Sequence, residues 1–448
     1  MPYCEIPGTS SRYALLAFDQ KGCEVREGPG GVNGLMSEEL LQSVQKDPPQ
    51  DIFLFSHGWL NDVPAATERY NRWIKALVER TPESERGRSL YIGLHWPSLP
   101  WGDEELGADG SFAAGDGISL DDLKQLYIER FGDEEPIRSA LGVIFHEARV
   151  NAGATTLEES VAAAYLQLNA ALGGLEAGGV AAAPGDDCER FDPELSFQLA
   201  SVSSSGYGFG AFNVGGPFLE ILRWLSFWTM KKRARTIGES GMHDFIARMQ
   251  SACPARIHLI GHSFGCIVVS SMIGGPGGNS SLLRAVESAV LVQGAVSLWA
   301  YASAIPPAAG HPPGYYYHRV IEGGAVNGPV VTTRSEHDRI VRYAYPAASF
   351  VTGDVAFDAT NNELPPYGGI GMFGICGVAK AENRQMLDQN GRYGFKPGGV
   401  YNLDGSQYIR AGGGISGAHS DICGPEVANA ILQAAGLGAQ ATTEGAGT

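Results

Sequence analysis

The chain has no run of about 18 consecutive apolar residues, so no membrane-spanning helix is expected. Basic residues are scarce: 32 Lys and Arg stand against 49 Asp and Glu, for a formal charge of −17. Such a surface repels polyanions, which argues against nucleic acid and anionic membranes as main partners. Cysteine is sparse too, with seven in 448 residues and no Cys-x-x-Cys pair. An odd, scattered set argues against a disulfide framework or a zinc site and favours reduced thiols in a cytoplasmic setting. The opening Met1-Pro2-Tyr3-Cys4-Glu5-Ile6-Pro7-Gly8 lacks the basic and apolar regions of a secretory signal. Charged residues make up 18% and hydrophobic ones 44%, the balance of an ordinary globular protein with a large core.

One stretch organises the rest. Arg256 to Ile260 reads as a short apolar strand, and Cys266-Ile267-Val268-Val269 opens an apolar helix. Between them lies Gly261-His262-Ser263-Phe264-Gly265, a Gly-x-Ser-x-Gly turn. A serine on a sharp strand-to-helix turn projects its Oγ clear of the backbone, and the following helix aims free N–H groups at the same point. With 61 glycines in the chain the pentapeptide alone is weak evidence. Its strand-before, helix-after context carries the reading; the plainer one is a structural turn with a buried serine. Cys266, three residues on, reads as a small buried helix residue.

The surrounding pattern alternates strand and helix. Arg12 to Asp19 predicts a first strand, with Cys23 to Arg26 pairing against it. Ser37 to Gln45 predicts a helix, and Asp51 to Ser56 a strand buried on both faces. Tyr70, Trp73, Ile74, Leu77 and Val78 share one helical face, and Ser89 to His95 is the next strand. Strand, helix, strand predicts an α/β fold with a mostly parallel central sheet. From 96 to 217 the rhythm breaks into loop-like, acidic and glycine-rich sequence, with one amphipathic helix marked by Leu157, Val161, Tyr165, Leu168 and Leu172. This predicts a long, partly helical insertion after the fourth strand, a cap over the sheet's carboxyl edge. Domain organisation follows: core at 1–95, insertion at 96–217, core again at 218–436, and a disordered tail at 437–448.

Phe218 to Met230 is strongly apolar and precedes Lys231-Lys232-Arg233. It reads either as a membrane-touching lid helix or as a core helix with a solvated basic end; the acidic charge of the chain favours the second. Ala289 to Gly294, Val330 to Thr333 and Pro397 to Leu403 predict further strands, and Val427 to Ala435 a closing helix. Gly369-Ile370-Gly371-Met372-Phe373-Gly374 fits a dinucleotide-binding spacing, but it follows Pro365-Pro366-Tyr367 and not a strand, so a glycine-rich loop is expected. No cofactor and no metal are called for.

A serine hydroxyl needs a base, and the base needs an orienting carboxylate. In the order Ser, acid, His, the acid follows a later strand and the histidine lies near the end. Asp338 fills the first position and His419 the second. Glu336, Asp354 and Asp358 compete for the acid, and a helix cap is the plainer use of Asp338. His262, His311, His318 and His337 compete for the base; His262 reads better as a structural histidine. An oxyanion hole needs two backbone N–H groups. Phe264 supplies one by position, and Trp59, with Leu60 next, the other, while His57 and Gly58 shape that turn.

On His57-Gly58-Trp59, Gly261 to Gly265, Asp338 and His419, in that order, the chain resembles the α/β-hydrolase superfamily over residues 12–95 and 218–436. The insertion has no counterpart there. The runs Trp228 to Arg233 and Gly417 to Ile422 look like a little-characterised bacterial and fungal branch, which implies no particular substrate. The resemblance implies an α/β-hydrolase fold, a covalent acyl-enzyme route and no cofactor. The expected function is a serine hydrolase (esterase or lipase) acting on a small-molecule carboxylic ester. The same residues suit an amidase, a peptidase, an acyltransferase or a lipase with a mobile lid. From another class, a non-catalytic binding protein could share the fold.

Overall fold

A computed structural model describes residues 3–26, 34–58, 62–98, 119–172, 193–194, 196–198, 216–278, 280–305, 313–344, 364, 368–412 and 417–437. Among them, nine strands form one sheet in the order β1-β2-β4-β3-β5-β6-β7-β9-β8. They are β1 (Tyr3–Glu5), β2 (Arg12–Ala17), β3 (Asp51–Ser56), β4 (Ser89–His95), β5 (Arg256–His262), β6 (Ser288–Val292), β7 (Val330–Arg334), β8 (Ala381–Gln385) and β9 (Val400–Asp404). Only β1 runs antiparallel to its neighbour; every other pair is parallel. The protein is therefore an α/β protein with a mostly parallel sheet flanked by helices.

Successive side chains of a strand point to opposite faces, and here both faces are covered. Ile52, Leu54, Ile257, Leu259, Ala289 and Leu291 enter one hydrophobic cluster. That cluster also takes Leu40 of α1 (Met36–Lys46) and Ile246 of the helix His243–Ala252. Phe53, Phe55, Ile260, Val290 and Val292 enter the other. Tyr70, Trp73 and Leu77 of α2 (Val63–Arg80) and Ile431 of the closing helix Pro425–Ala434 cover that side. The continuous apolar runs at 52–55 and 289–292 follow from this double coverage.

The sheet's centre is tied by a buried polar chain at the N-terminal end of β3. Asp51, 1% exposed, accepts from Arg256 Nε at 2.7 Å and Nη2 at 2.9 Å. It also accepts from His258 Nε2 at 3.1 Å, and His258 Nδ1 in turn meets the Ser288 hydroxyl at 2.9 Å. Three adjacent parallel strands, which share no hairpin, are thus held in register by side chains as well as by the ladder.

Two strands escape the sequence pattern. β1 has only three residues, and β8, Ala381-Glu382-Asn383-Arg384-Gln385, is polar and largely exposed on the sheet's edge. An edge strand with little to bury carries no hydrophobic period. Cys23 to Arg26 contributes a single antiparallel bridge, Phe18 to Glu24, in place of a strand.

The insertion is more helical than its composition suggests. α3 (Leu120–Phe131) is capped by Ser119, whose hydroxyl accepts from Asp122 N. α4 (Glu135–Val150) buries Ile137, Ala140, Leu141, Ile144, Phe145 and Ala148, an i, i+3, i+4 stripe. α5 (Glu159–Ala171) follows as expected. Their buried side chains belong to the same hydrophobic cluster as the first face of the sheet. α6 (Gly216–Ile237) contains the apolar 218–230 run, and its Phe218, Leu219, Ile221, Leu222, Leu225 and Met230 are buried. Of the two readings of that run, these side chains match the core helix, but its basic end is not solvated as expected: Lys231 is buried and Arg233 donates to Pro97 O at 2.9 Å, while Lys232 is exposed. Among the described residues no helix is long and apolar enough to cross a membrane. Residues 99–118 and 173–192 lie outside the described residues, as does the loop expected at 201–216 except Gly216, which begins α6. Of the tail expected at 437–448 only Leu437 is described, and it is buried.

Asp51→Ala should leave Arg256 half-buried and His258 fully buried without their common acceptor. We expect a loss of about 3 kcal/mol in unfolding free energy, read by urea denaturation. A loss below about 0.5 kcal/mol would show that the backbone ladder alone sets the register.

Candidate active site

The elbow forms as the glycines require. Ser263 follows β5 and has φ of +56°, a left-handed conformation that L-residues avoid. Its N–H donates to Val292 O at 3.2 Å, and its carbonyl accepts from Cys266 N at 3.1 Å and Ala295 N at 3.2 Å. α7, defined here as the elbow helix (Gly265–Gly274), starts at once with Phe264 as its N-cap. A Cβ at Gly265 would sit 2.2 Å from Ser56 O, and one at Gly261 would sit 2.6 Å from Gly265 O. Any other residue would push the elbow helix away from the end of β3 at Gly265, or away from the end of β5 at Gly261. Cys266 is fully buried, its Sγ 3.3 Å from Gly261 O, and burial pushes its thiol well above the ordinary range. It is the inert packing residue expected of it.

Three segments bring their side chains to this turn. His419 Nε2 lies 2.8 Å from Ser263 Oγ, and His419 Nδ1 lies 2.8 Å from Asp338 Oδ2. Ser263, Asp338 and His419 are 3%, 0% and 4% exposed, so the relay is shielded from water's competing hydrogen bonds. Asp338 makes the contacts that both of its considered uses require. Its Oδ1 accepts from Val341 N at 3.0 Å and caps the short helix Arg339–Ala344, while Oδ2 faces the histidine. The acid and histidine loops are stitched by backbone: Ala418 N donates to His337 O at 2.9 Å, beside a bridge between Asp338 and Gly417.

Of the described rivals, Glu336, His337 and His318 lie on the surface. Glu336 is exposed and sits 3.6 Å from exposed His337; His318 pairs with Glu322 at 2.6 Å on the surface. Asp354, Asp358 and His311 lie outside the described residues. His262 is structural, as its position beside the serine predicts. Its Nε2–H donates to the His419 carbonyl at 2.8 Å, so it holds the histidine loop from below.

Phe264 stands beside Ser263 at the N-terminus of the elbow helix, the positive end of its dipole. Trp59 and Leu60, the second expected donors, lie outside the described residues. The residues that lead to them are described. Gly58 passes so close that a Cβ there would lie 2.4 Å from Ser263 Cβ. His57 is clamped: Tyr70 Oη accepts from His57 N at 2.9 Å, and Trp96 Nε1 donates to His57 O at 3.1 Å. The His57 ring stacks on Trp96 at 4° between planes, with Nδ1–H donating to Gly58 O at 2.8 Å. Nε2 accepts from Trp96 N at 3.3 Å, which settles the tautomer. Shaping the turn is what His57 does.

Gln293 was not among the sequence candidates. It is wholly buried and donates from Nε2 to Asp338 Oδ2 at 2.9 Å. The available signal was an amide at the end of the apolar run Val290-Leu291-Val292, where a parallel strand reaches its functional edge. The Gly369 to Gly374 stretch, expected as a loop, contains a one-turn helix at Ile370–Phe373, and Gly371 O accepts from Ser335 N behind the acid.

Comparison with protein-family models, with curated proteins and with solved structures returned no match. The chemistry has to be read from the geometry. A hydroxyl on an imidazole that is itself on a buried carboxylate is an activated nucleophile: the imidazole removes the proton as the oxygen attacks. Among the described residues no group of His, Cys, Asp and Glu side chains could hold a metal ion.

Burial holds both His57 and His262 well below the ordinary histidine range; neighbouring charge, chiefly from His95 and His419 respectively, adds to this. Each is neutral when folded and gains a proton more easily when unfolded. Their contribution to stability is complete above about pH 6.5 and is lost as the pH falls below it. As the pH falls below about 6.5 the unfolding free energy should begin to drop, with a slope that approaches about 1.4 kcal/mol per unit for each histidine near pH 5. His262→Gln keeps a donor toward the His419 carbonyl and should flatten the slope by one histidine's share. An identical slope in that variant would contradict the assignment.

Proposed function

We propose that the protein is a serine hydrolase of α/β-hydrolase fold that cleaves small carboxylic esters through an acyl-enzyme. The observation that carries this is the continuous relay from Asp338 Oδ2 through His419 to Ser263 Oγ, with both contacts at 2.8 Å. Its members are 81 and 156 residues apart in sequence, so local sequence does not bring them together. The strained elbow adds support, because a left-handed serine costs about 1–3 kcal/mol and persists where function or packing over-determines it. The parallel sheet, with all three residues just beyond its strands' carboxyl ends, supports the fold reading.

In this reading Ser263 Oγ attacks the ester carbonyl carbon as His419 Nε2 takes its proton. Asp338 holds the imidazole by Nδ1 and stabilises the cation that forms. The carbonyl oxygen becomes an oxyanion, met by the N–H of Phe264 and by a second N–H from the 58–60 turn, where Trp59 is the candidate. Collapse of the tetrahedral species breaks the ester C–O bond, and His419 returns the proton to the leaving alcohol. A water molecule then repeats the cycle on the acyl-serine, its proton passing through His419, and the carboxylic acid leaves. The chain's own side chains supply every proton transfer, so no cofactor enters.

A fluorophosphonate probe should label the wild-type protein at Ser263 and leave Ser263→Ala unlabelled. Hydrolysis of p-nitrophenyl acetate should fall by roughly 10⁶ in that variant, because the three residues act as a unit. A Ser263→Ala protein that kept its esterase rate would overturn the proposal.

A further inference from the structure

We infer that Gln293 is a positioning residue for the Asp338–His419 pair: its amide fixes which carboxylate oxygen meets the imidazole and how basic that oxygen is. This rests on the serine-hydrolase reading above.

Two non-glycine residues among those described have positive φ. One is Ser263; the other is Gln293, at +46°. Such a conformation is costly without compensation, and the compensation is visible in its hydrogen bonds. The backbone N–H of Gln293 donates to Thr333 Oγ1 at 3.0 Å. The Thr333 hydroxyl proton then goes to Gln293 Oε1, again at 3.0 Å. Nε2 faces Asp338 Oδ2 at 2.9 Å and Gly371 O at 3.4 Å. Both of these are acceptors only, so the –NH₂ end of the amide must point to them. The backing turn leaves no slack, since a Cβ at Gly371 would lie 2.8 Å from the Gln293 carbonyl carbon. Four segments, at 293, 333, 338 and 371, thus converge on one amide.

A buried amide used only as filler is a poor choice, since an apolar residue would avoid its desolvation. Here the amide donates to the very oxygen that receives the His419 N–H. A carboxylate oxygen with a second donor is less basic and holds the imidazolium less tightly. It is also pinned in the plane that lets Oδ1 cap Val341. Among the described residues, the other titratable or charged groups near the pair include His262, whose ring is 4.9 Å from that of His419, and Arg339, whose stem lies beside Gly417.

The test compares wild type with Gln293→Met, which keeps length and removes the donor. Thr333→Val removes the hydroxyl that aims the amide, and Thr333→Ser retains it. Urea denaturation first establishes that each is folded. The readouts are the NMR titration of the His419 imidazole and the pH profile of fluorophosphonate labelling. Gln293→Met should move the His419 titration and the acid limb of labelling up by about 0.5–1 pH unit. Maximal labelling should slow by about tenfold to a hundredfold. Thr333→Val should move both in the same direction, and Thr333→Ser should track wild type. A folded Gln293→Met with an unmoved titration and a labelling rate within about twofold of wild type overturns the inference. If Gln293→Met does not fold, the two Thr333 variants decide by the same criteria: a Thr333→Val that matches Thr333→Ser overturns it. Failure of the parent reading is distinct. Wild-type protein that titrates at His419 but takes no label would remove the hydrolase and leave the positioning role to be judged on the titration alone.

Discussion

Everything at the candidate site depends on one backbone constraint, the left-handed turn at Ser263. It places a hydroxyl where a strand ends and a helix begins, with no atom to spare. The constraint is imposed from three sides. Gly265 lies against the Ser56 carbonyl at the end of β3, Gly58 crosses over the serine, and Val292 O at the end of β6 accepts the Ser263 N–H. Strands β3, β5 and β6 are adjacent and in register, so the turn's geometry is set by the sheet. The Asp51–Arg256–His258 chain fixes the far ends of the same strands. Rigidity at one edge of the sheet thus supports strain at the other.

A second theme is the use of neutral, buried polar groups as struts. His57 holds the 57–58 turn through its ring and its backbone, His262 holds the His419 carbonyl, and Gln293 holds Asp338. None of the three reaches the serine oxygen. Each settles the position of a group that does, or that leads to one. Each such bond is costly to break, because doing so leaves a buried donor or acceptor unpaired. That cost keeps two loops and an elbow, drawn from distant parts of the chain, within hydrogen-bond distance of one another.

The insertion is less separate than its position in the sequence suggests. Helices α3, α4 and α5 bury their apolar stripes in the same cluster as the sheet face carrying Leu54 and Leu259. Helix α6 closes the insertion and also packs there. Glycine-rich and acidic stretches between these helices dominate the composition of 96–217 and mask their periodicity. Averaging over the region therefore hid two helices, one of which, α4, a residue-by-residue count of Ile137 to Ala148 would have found.

The sequence by itself determined the parts that are local. A strand, a Gly-x-Ser-x-Gly turn and a helix are contiguous, so their geometry follows from side-chain size and φ preference at Gly261 and Gly265. The doubly buried strands at 51–56 and 288–292 announce themselves because both faces need apolar residues. Asp338 and His419 are legible by their order after the serine and by the loops that carry them. Only the tertiary structure decided what depends on distant segments meeting. It gave each Asp338 oxygen its own partner, and showed Gln293 behind it. It turned the His57 ring back onto Gly58 and placed the polar strand β8 on the edge. These features carry no period and no spacing, because the groups that fix them, such as His419 for Asp338, Asp338 for Gln293, Trp96 for His57 and β9 for β8, lie tens of residues away. Burial and hydrogen-bond satisfaction, which act through space, selected them.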